Sequence, residues 1–243
     1  MLDLTNFTTT DMMRARVQLR EIRDLRSASM EEAAQHVVDY FYEQLGTTHN
    51  GSPACGLIRI FKTHPYGELD DELRSYADAL MPDQQIARST KCLTLLASRG
   101  EKREWNSRHD STGHKSIPLI SEEMVTKAPM IARLFTQLGI SIRAVLSPDK
   151  SFILEAQEKT YNVFHIAEAL GSPYIPAQEE FVIPYGIKSV LGFGGVLPSG
   201  DLFATIIFSK VPISMEAAQL FAPLALNVKI CLLPFNSGVV FEG

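Results

Sequence analysis

The sequence predicts an α+β domain in which helices pack on a central antiparallel sheet, not the strict strand–helix alternation of a doubly wound fold. Three observations predict this. Strand-like runs crowd the last third of the chain, and two of them, 188–197 and 202–209, flank the hairpin signal Pro198-Ser199-Gly200-Asp201. Both ends of the chain instead carry apolar residues at helical spacing.

Composition bounds the function classes. The 243 residues are 45% hydrophobic and 21% charged, which excludes a disordered chain. A chain of this length buries enough surface to fold without a disulfide or metal staple. A net charge of −5 argues against a nucleic-acid partner. The N-terminus lacks the apolar core of a signal peptide. The longest apolar stretch, 222–235, is broken by Asn227 and Lys229 and falls short of the roughly 20 residues of a span. Three widely spaced cysteines, an odd count, imply no disulfide framework. The expectation is a cytoplasmic protein with no membrane partner.

The elements follow in order. In 11–26, Met12, Ala15, Leu19 and Ile22 form a narrow stripe among arginines, as wide as a two-helix seam. Residues 1–26 therefore read as a helical arm, either a dimerisation helix or a helix lying on its own domain. Ser29-Met30-Glu31-Glu32 is a capping-box pattern, followed by the face Ala34, Val37, Val38, Phe41 and Leu45. GLIRIFKT, at 56–63, alternates as a half-buried strand. Residues 67–80 read as an acidic helix, 91–98 as a strand and 99–116 as a polar loop holding Trp105. Residues 117–120 form a short apolar run, and Ser121 starts a helix that continues to Gly139 with Pro129 in a first turn. Residues 140–146 read as a strand, 147–150 as a turn, 151–154 as renewed extension and 161–166 as another strand. Ser214 caps a last helix that Pro223 kinks or divides.

Catalytic motifs are weak. Gly192, Gly194 and Gly195 lie between strand and turn, not before a helix, so they relieve crowding rather than cradle a phosphate. His109 and His114 lack metal-ligand spacing and read as loop histidines. No nucleophile elbow is present, and the cysteines read as small hydrophobes. The segment 161–193 stands out, since His165, Tyr174, Phe181, Tyr185 and Phe193 lie on a path stiffened by Pro173, Pro176 and Pro184. It reads either as a pocket wall or as a satellite core.

Residues 161–235 resemble the second half of a GAF domain, the small-molecule sensor fold of signalling proteins. The matching pieces are NVFHI, EALGSPYIPAQEEF, PYGIKSVLGFGGVL, LFATIIFS and MEAAQLFAPLALNVKICLL. The first half matches in topology only, and the likeness spans 27–235 with insertions at 67–81 and 99–116. The chain is similar to sensory regions ahead of kinase or cyclase modules in bacterial multidomain signalling proteins. Residues 236–243 form a tail without an output module, which would act in trans or lie elsewhere in a longer protein. The resemblance implies terminal helices on one sheet face, a homodimer, and a ligand under the irregular segment on the other face. Tyr174, Phe181, Tyr185 and Phe193 would then supply contact area, with His165 and Arg143 as polar anchors. The implied role is a non-catalytic sensor of an unidentified small molecule that signals to a histidine kinase or nucleotide cyclase partner. No cysteine lies in the segment for covalent bilin attachment, and no cofactor is implied. Two alternatives stand: a dimerisation module without ligand, and a thiol-dependent sulfoxide reductase of GAF type.

Overall fold

The computed structural model describes residues 2–48, 50–159 and 161–241. In chain order the first half holds helices α1 (Thr9–Arg23) and α2 (Met30–Leu45), strand β1 (Cys55–Pro65), α3 (Asp71–Leu80), β2 (Lys91–Gly100) and β3 (Ser116–Pro118). Then come α4 (Glu122–Thr126), α5 (Pro129–Leu138), α6 (Ile142–Leu146), α7 (Lys150–Glu158) and β4 (Phe164–Ile166). The chain closes with α8 (Ile183–Tyr185), β5 (Ser189–Val196), β6 (Leu202–Ser209), α9 (Met215–Gln219) and α10 (Leu224–Leu232). The strands form one antiparallel sheet in the order β3-β2-β1-β6-β5-β4. This is the α+β architecture that the hairpin signal and the helical ends predict.

Capping residues set the helix starts. Thr8 accepts from the Asp11 amide at 3.2 Å and the Asp11 carboxylate accepts from the Thr8 amide at 3.1 Å, so α1 starts two residues before the expected Asp11. Ser29 accepts from the Glu32 amide at 3.0 Å, but the Glu32 carboxylate takes the Ala28 amide instead of closing the box on Ser29. Two further amides at the start of α2 are satisfied from far along the chain. Met30 N–H donates to Val239 O at 3.0 Å and Glu31 N–H to Val240 O at 2.9 Å, strapping the C-terminal tail to α2.

One core lies between the sheet and helices α1, α2, α9 and α10. Phe41, Phe193, Phe203 and Phe221 fill it, together with Leu2, Leu4, Phe7, Ala15 and Leu19 from the arm. The stripe Met12, Ala15, Leu19 and Ile22 thus meets the core of its own chain, where the Cys231 thiol donates to Leu19 O at 3.3 Å. The last helix divides at Pro223, as expected. By length and composition alone, Met215–Phe235 is apolar enough to cross a membrane, longer than the sequence reading of 222–235 allowed. Its Ala217, Ala218, Phe221, Leu224, Val228, Cys231 and Leu232 are buried on the sheet, the pattern of a core helix.

The second core, on the opposite face, lies beneath α4–α7 and the 161–187 segment. Here two expected strands are helices. Residues 140–146 hold α6, because Ser141 caps it by accepting from the Ala144 amide at 3.3 Å. Residues 151–154 fall inside α7, because Asp149 accepts from the Phe152 amide at 2.7 Å. The serine and aspartate that read as strand edge and turn are both N-caps. The strand at 161–166 shortens to β4. Gly194 allows the close crossing inferred from sequence, since a Cβ there would stand 2.1 Å from Phe203 O.

Candidate functional site

Strand alternation decides which side chains reach each face. In β1, Ile58 and Ile60 enter the core under the terminal helices, while Leu57 enters the opposite core. Arg59 therefore shares a face with Leu57, and its cross-strand partners are Ser98 of β2 and Ile206 of β6. The guanidinium sits near the middle of the sheet and the residue is only 8% exposed. Its Nε donates to Ser98 Oγ at 3.4 Å and Nη2 to Ser111 Oγ at 3.1 Å. Among the described residues it has no carboxylate partner. Burial pushes its pKa down to about 10.

The 101–115 loop covers this arginine. Ser111 reaches Arg59 from it, and the His114 amide donates to Tyr76 Oη at 2.8 Å. His114 has φ 59°, a left-handed conformation that no other non-glycine among the described residues adopts. A second arginine is also poorly satisfied. Arg133 of α5 lies over the Tyr174 ring at 4.9 Å, and its Nε is buried without a hydrogen-bond partner.

Aromatic rings complete the face. Trp105 stands edge-on to Tyr185 at 4.7 Å and to Phe181 at 5.6 Å, and Phe181 meets Phe208 at 5.0 Å. Lys102 places its ammonium 5.0 Å from the Tyr185 ring centroid.

Tyr174, Phe181 and Tyr185, all expected as ligand contacts, lie on this face. Phe193 does not. Alternation turns it to the other side of β5, where it packs 5.7 Å from Phe41 and 5.6 Å from Phe221. His165 is turned away for the same reason: its neighbours Phe164 and Ile166 take the core beneath α4–α7, and its Nε2 lies 2.9 Å from Ile213 O. Arg143 is exposed on α6, since its segment is helical and leaves the sheet.

Sequence reasoning missed Arg59, Arg133, Ser111 and Tyr76. The alternation in GLIRIFKT was visible, but it implied a solvent face for Arg59. That face is instead roofed by the loop, which the sequence marked only as polar.

The cysteines offer little for thiol chemistry. Burial pushes Cys55 up to about 12, and Cys92 and Cys231 up to about 11, so all three are protonated at neutral pH. Among the described residues no group of three or more His, Cys, Asp or Glu side chains could hold a metal ion.

No protein-family model matches the sequence, and no curated protein matches it. Among solved structures, the chain is similar to the GAF domain of a phosphoenolpyruvate-protein phosphotransferase (ptsP) from Coxiella burnetii. That match has 14% identity over 91% of this chain and 92% of the other, with a TM-score of 0.43. The chain is also similar to the phycoerythrobilin-bound GAF domain of a cyanobacterial phytochrome, at 9% identity over 94% and 96% of the two chains and a TM-score of 0.39.

Proposed function

We propose that this chain is a non-catalytic sensory domain that binds a small organic anion on the sheet face opposite its terminal helices, with Arg59 as the anchor. The observation that carries the reading is a guanidinium buried near the middle of a sheet with two serine hydroxyls for company and no described carboxylate. Burying an uncompensated charge costs several kcal/mol, and a bound carboxylate or phosphate would offset that cost. Tyr174, Phe181, Tyr185 and Trp105 would supply the apolar contact that orients the rest of the ligand.

Occupancy has a route to the terminal helices. The 101–115 loop touches Arg59 through Ser111 and touches α2 through Arg108, whose Nε and Nη2 each lie 3.0 Å from the Glu31 carboxylate. A ligand that favours one loop arrangement over another would bias the seating of α2. A histidine kinase or nucleotide cyclase partner, a homodimer and a cytoplasmic location belong to the same reading.

The test is native mass spectrometry of protein purified from its own host, beside Arg59→Met. The wild type is expected to carry a discrete small-molecule adduct that the variant lacks. The variant should be as stable as wild type stripped of its ligand or more so, by about 1–4 kcal/mol, because an apolar side chain replaces an unpaired charge. A variant that keeps the adduct and melts lower would make Arg59 a structural brace for the loop and sink the reading.

A further inference from the structure

A second site lies at the far end of β1, away from Arg59 along the strand. Lys62 and His64 end the strand, Lys91 begins β2, and Ser199 and Asp201 come from the β5–β6 hairpin. The tail, at Asn236 and Phe241, and Glu68 form the rim of a cleft of about 660 Å³. That volume suits a small organic molecule.

Its floor holds two ammonium groups on one carboxylate. Lys62 Nζ lies 2.9 Å from Asp201 Oδ2 and Lys91 Nζ lies 2.7 Å from Asp201 Oδ1. The side chains of Lys62 and Asp201 are 3% and 6% exposed, and that of Lys91 is 11% exposed. Ser199 Oγ also donates to Asp201 Oδ2 at 2.7 Å and Thr63 Oγ1 to Oδ1 at 3.5 Å, so each carboxylate oxygen accepts two contacts. Lys62 is satisfied: its other bonds run to Thr63 O at 2.9 Å and His64 Nδ1 at 3.0 Å. Lys91 is less fully used, since among the described residues only Asp201 takes one of its three N–H groups. Asn236 accepts from the Ser199 amide at 3.2 Å through Oδ1, and its NH₂ has no partner among the described residues. Two acids also line the cleft: Glu68, 68% exposed with its carboxylate 3.8 Å from His64 Nε2, and Asp70, held by Arg108 at 3.0 Å.

A floor with one surplus positive charge, two donor groups with capacity left among the described residues and an aromatic rim suits an anion with an apolar body. We infer that this cleft binds a small organic carboxylate or phosphate monoester, its head group on Lys91 and the Asn236 amide and its body against Phe241 and Pro65. The contacts are charge-assisted on one side and apolar on the other, which fixes the ligand's orientation. The tail that forms the rim also caps the first amides of α2, so a ligand here presses on the strap of that helix. The site is separate from Arg59, and the inference stands or falls without it.

The experiment titrates the intact chain with two probes, benzoate and inorganic phosphate, followed by calorimetry. The expected result is saturable, Lys91-dependent binding of at least one probe with a dissociation constant of about a millimolar or below. Lys91→Met is expected to weaken it at least about tenfold while Lys91→Arg keeps most of it. In the Arg59→Met background, which removes the other proposed anion site, the Lys91-dependent binding is expected to persist. Preference for benzoate assigns a carboxylate ligand, and preference for phosphate assigns a phosphate ester. Asn236→Ala, on the tail, serves in place of Lys91→Met if that variant does not fold, with a smaller loss expected. Absence of saturable binding, binding indifferent to both Lys91 and Asn236, or binding lost with Arg59 alone would each overturn the inference.

Discussion

Arg108→Met is expected to destabilise the fold by about 3–5 kcal/mol, a fall in Tm of roughly 10–15 °C at this chain length. Arg108 is 1% exposed in a loop that composition marks as polar and solvated. It grips Glu31 with two nitrogens at 3.0 Å each and Asp70 with the third at 3.0 Å, while Glu72 lies 3.7 Å away. The Phe241 ring lies 5.2 Å from its guanidinium carbon. One residue thus ties the starts of α2 and α3, the 101–115 loop and the C-terminal tail. Methionine keeps the volume but removes the cation that the buried Glu31 shares with Asp70, while Glu72 keeps Lys115 and His109. Arg108→Lys keeps the charge but loses the planar fork, so it should recover only part of the loss. Thermal and urea unfolding of the two variants checks this. Equal, small losses would mean that the network is solvated and contributes little.

The same residue shows what the sequence could and could not reveal. Hairpin, caps and strand periodicity depend on neighbours within a few positions, so β5, β6, α2, α5 and the break at Pro223 were legible. The α6 and α7 segments failed because Ser141 and Asp149 are equally good as turn residues and as N-caps, and only the packing of Val145 and Ala156 decides between them. The candidate site was legible in half. Aromatic density in 161–193 pointed to Tyr174, Phe181 and Tyr185, but the face that each aromatic occupies depends on strand register. Phe193 and His165 consequently went to the wrong side. Arg59 was invisible for a different reason. A charged residue in an alternating strand reads as solvated, and nothing within its own strand says that a loop residue 52 positions later, Ser111, will reach back over it.

His64→Gln is expected to flatten the acid sensitivity of the fold between about pH 6.5 and pH 4, by about 3 kcal/mol at its full extent. His64 is 6% exposed, and its Nδ1 lies 3.0 Å from the Lys62 ammonium. Burial first, and then the Lys62 charge, push its pKa down to about 4, with Asp201 opposing and Lys91 reinforcing the shift. As pH falls through about 6.5 the unfolded chain takes up a proton that the folded chain refuses until about pH 4. In that window the unfolded state binds more protons, so stability drops with pH. Above about 6.5 the group is neutral in both states and contributes no slope. Glutamine can still accept the Lys62 hydrogen bond but cannot titrate. Unfolding by urea at pH 7.5 and pH 5 should therefore show a smaller difference for the variant than for the wild type. His165, also pushed down by burial, acts in the same direction, so some slope remains. Asp201 acts lower: burial opposes the shift, but Lys62 and Lys91 hold its carboxyl below the usual range, so its contribution is lost only as pH falls toward that depressed value. An anion seated on Lys91 would offset the positive field at His64, raise its pKa and make the folded state less acid-sensitive. Identical slopes in wild type and His64→Gln would mean that water reaches the imidazole and the cleft floor is not dry. A slope that benzoate reduces in the wild type but not in the variant would place the bound charge beside His64.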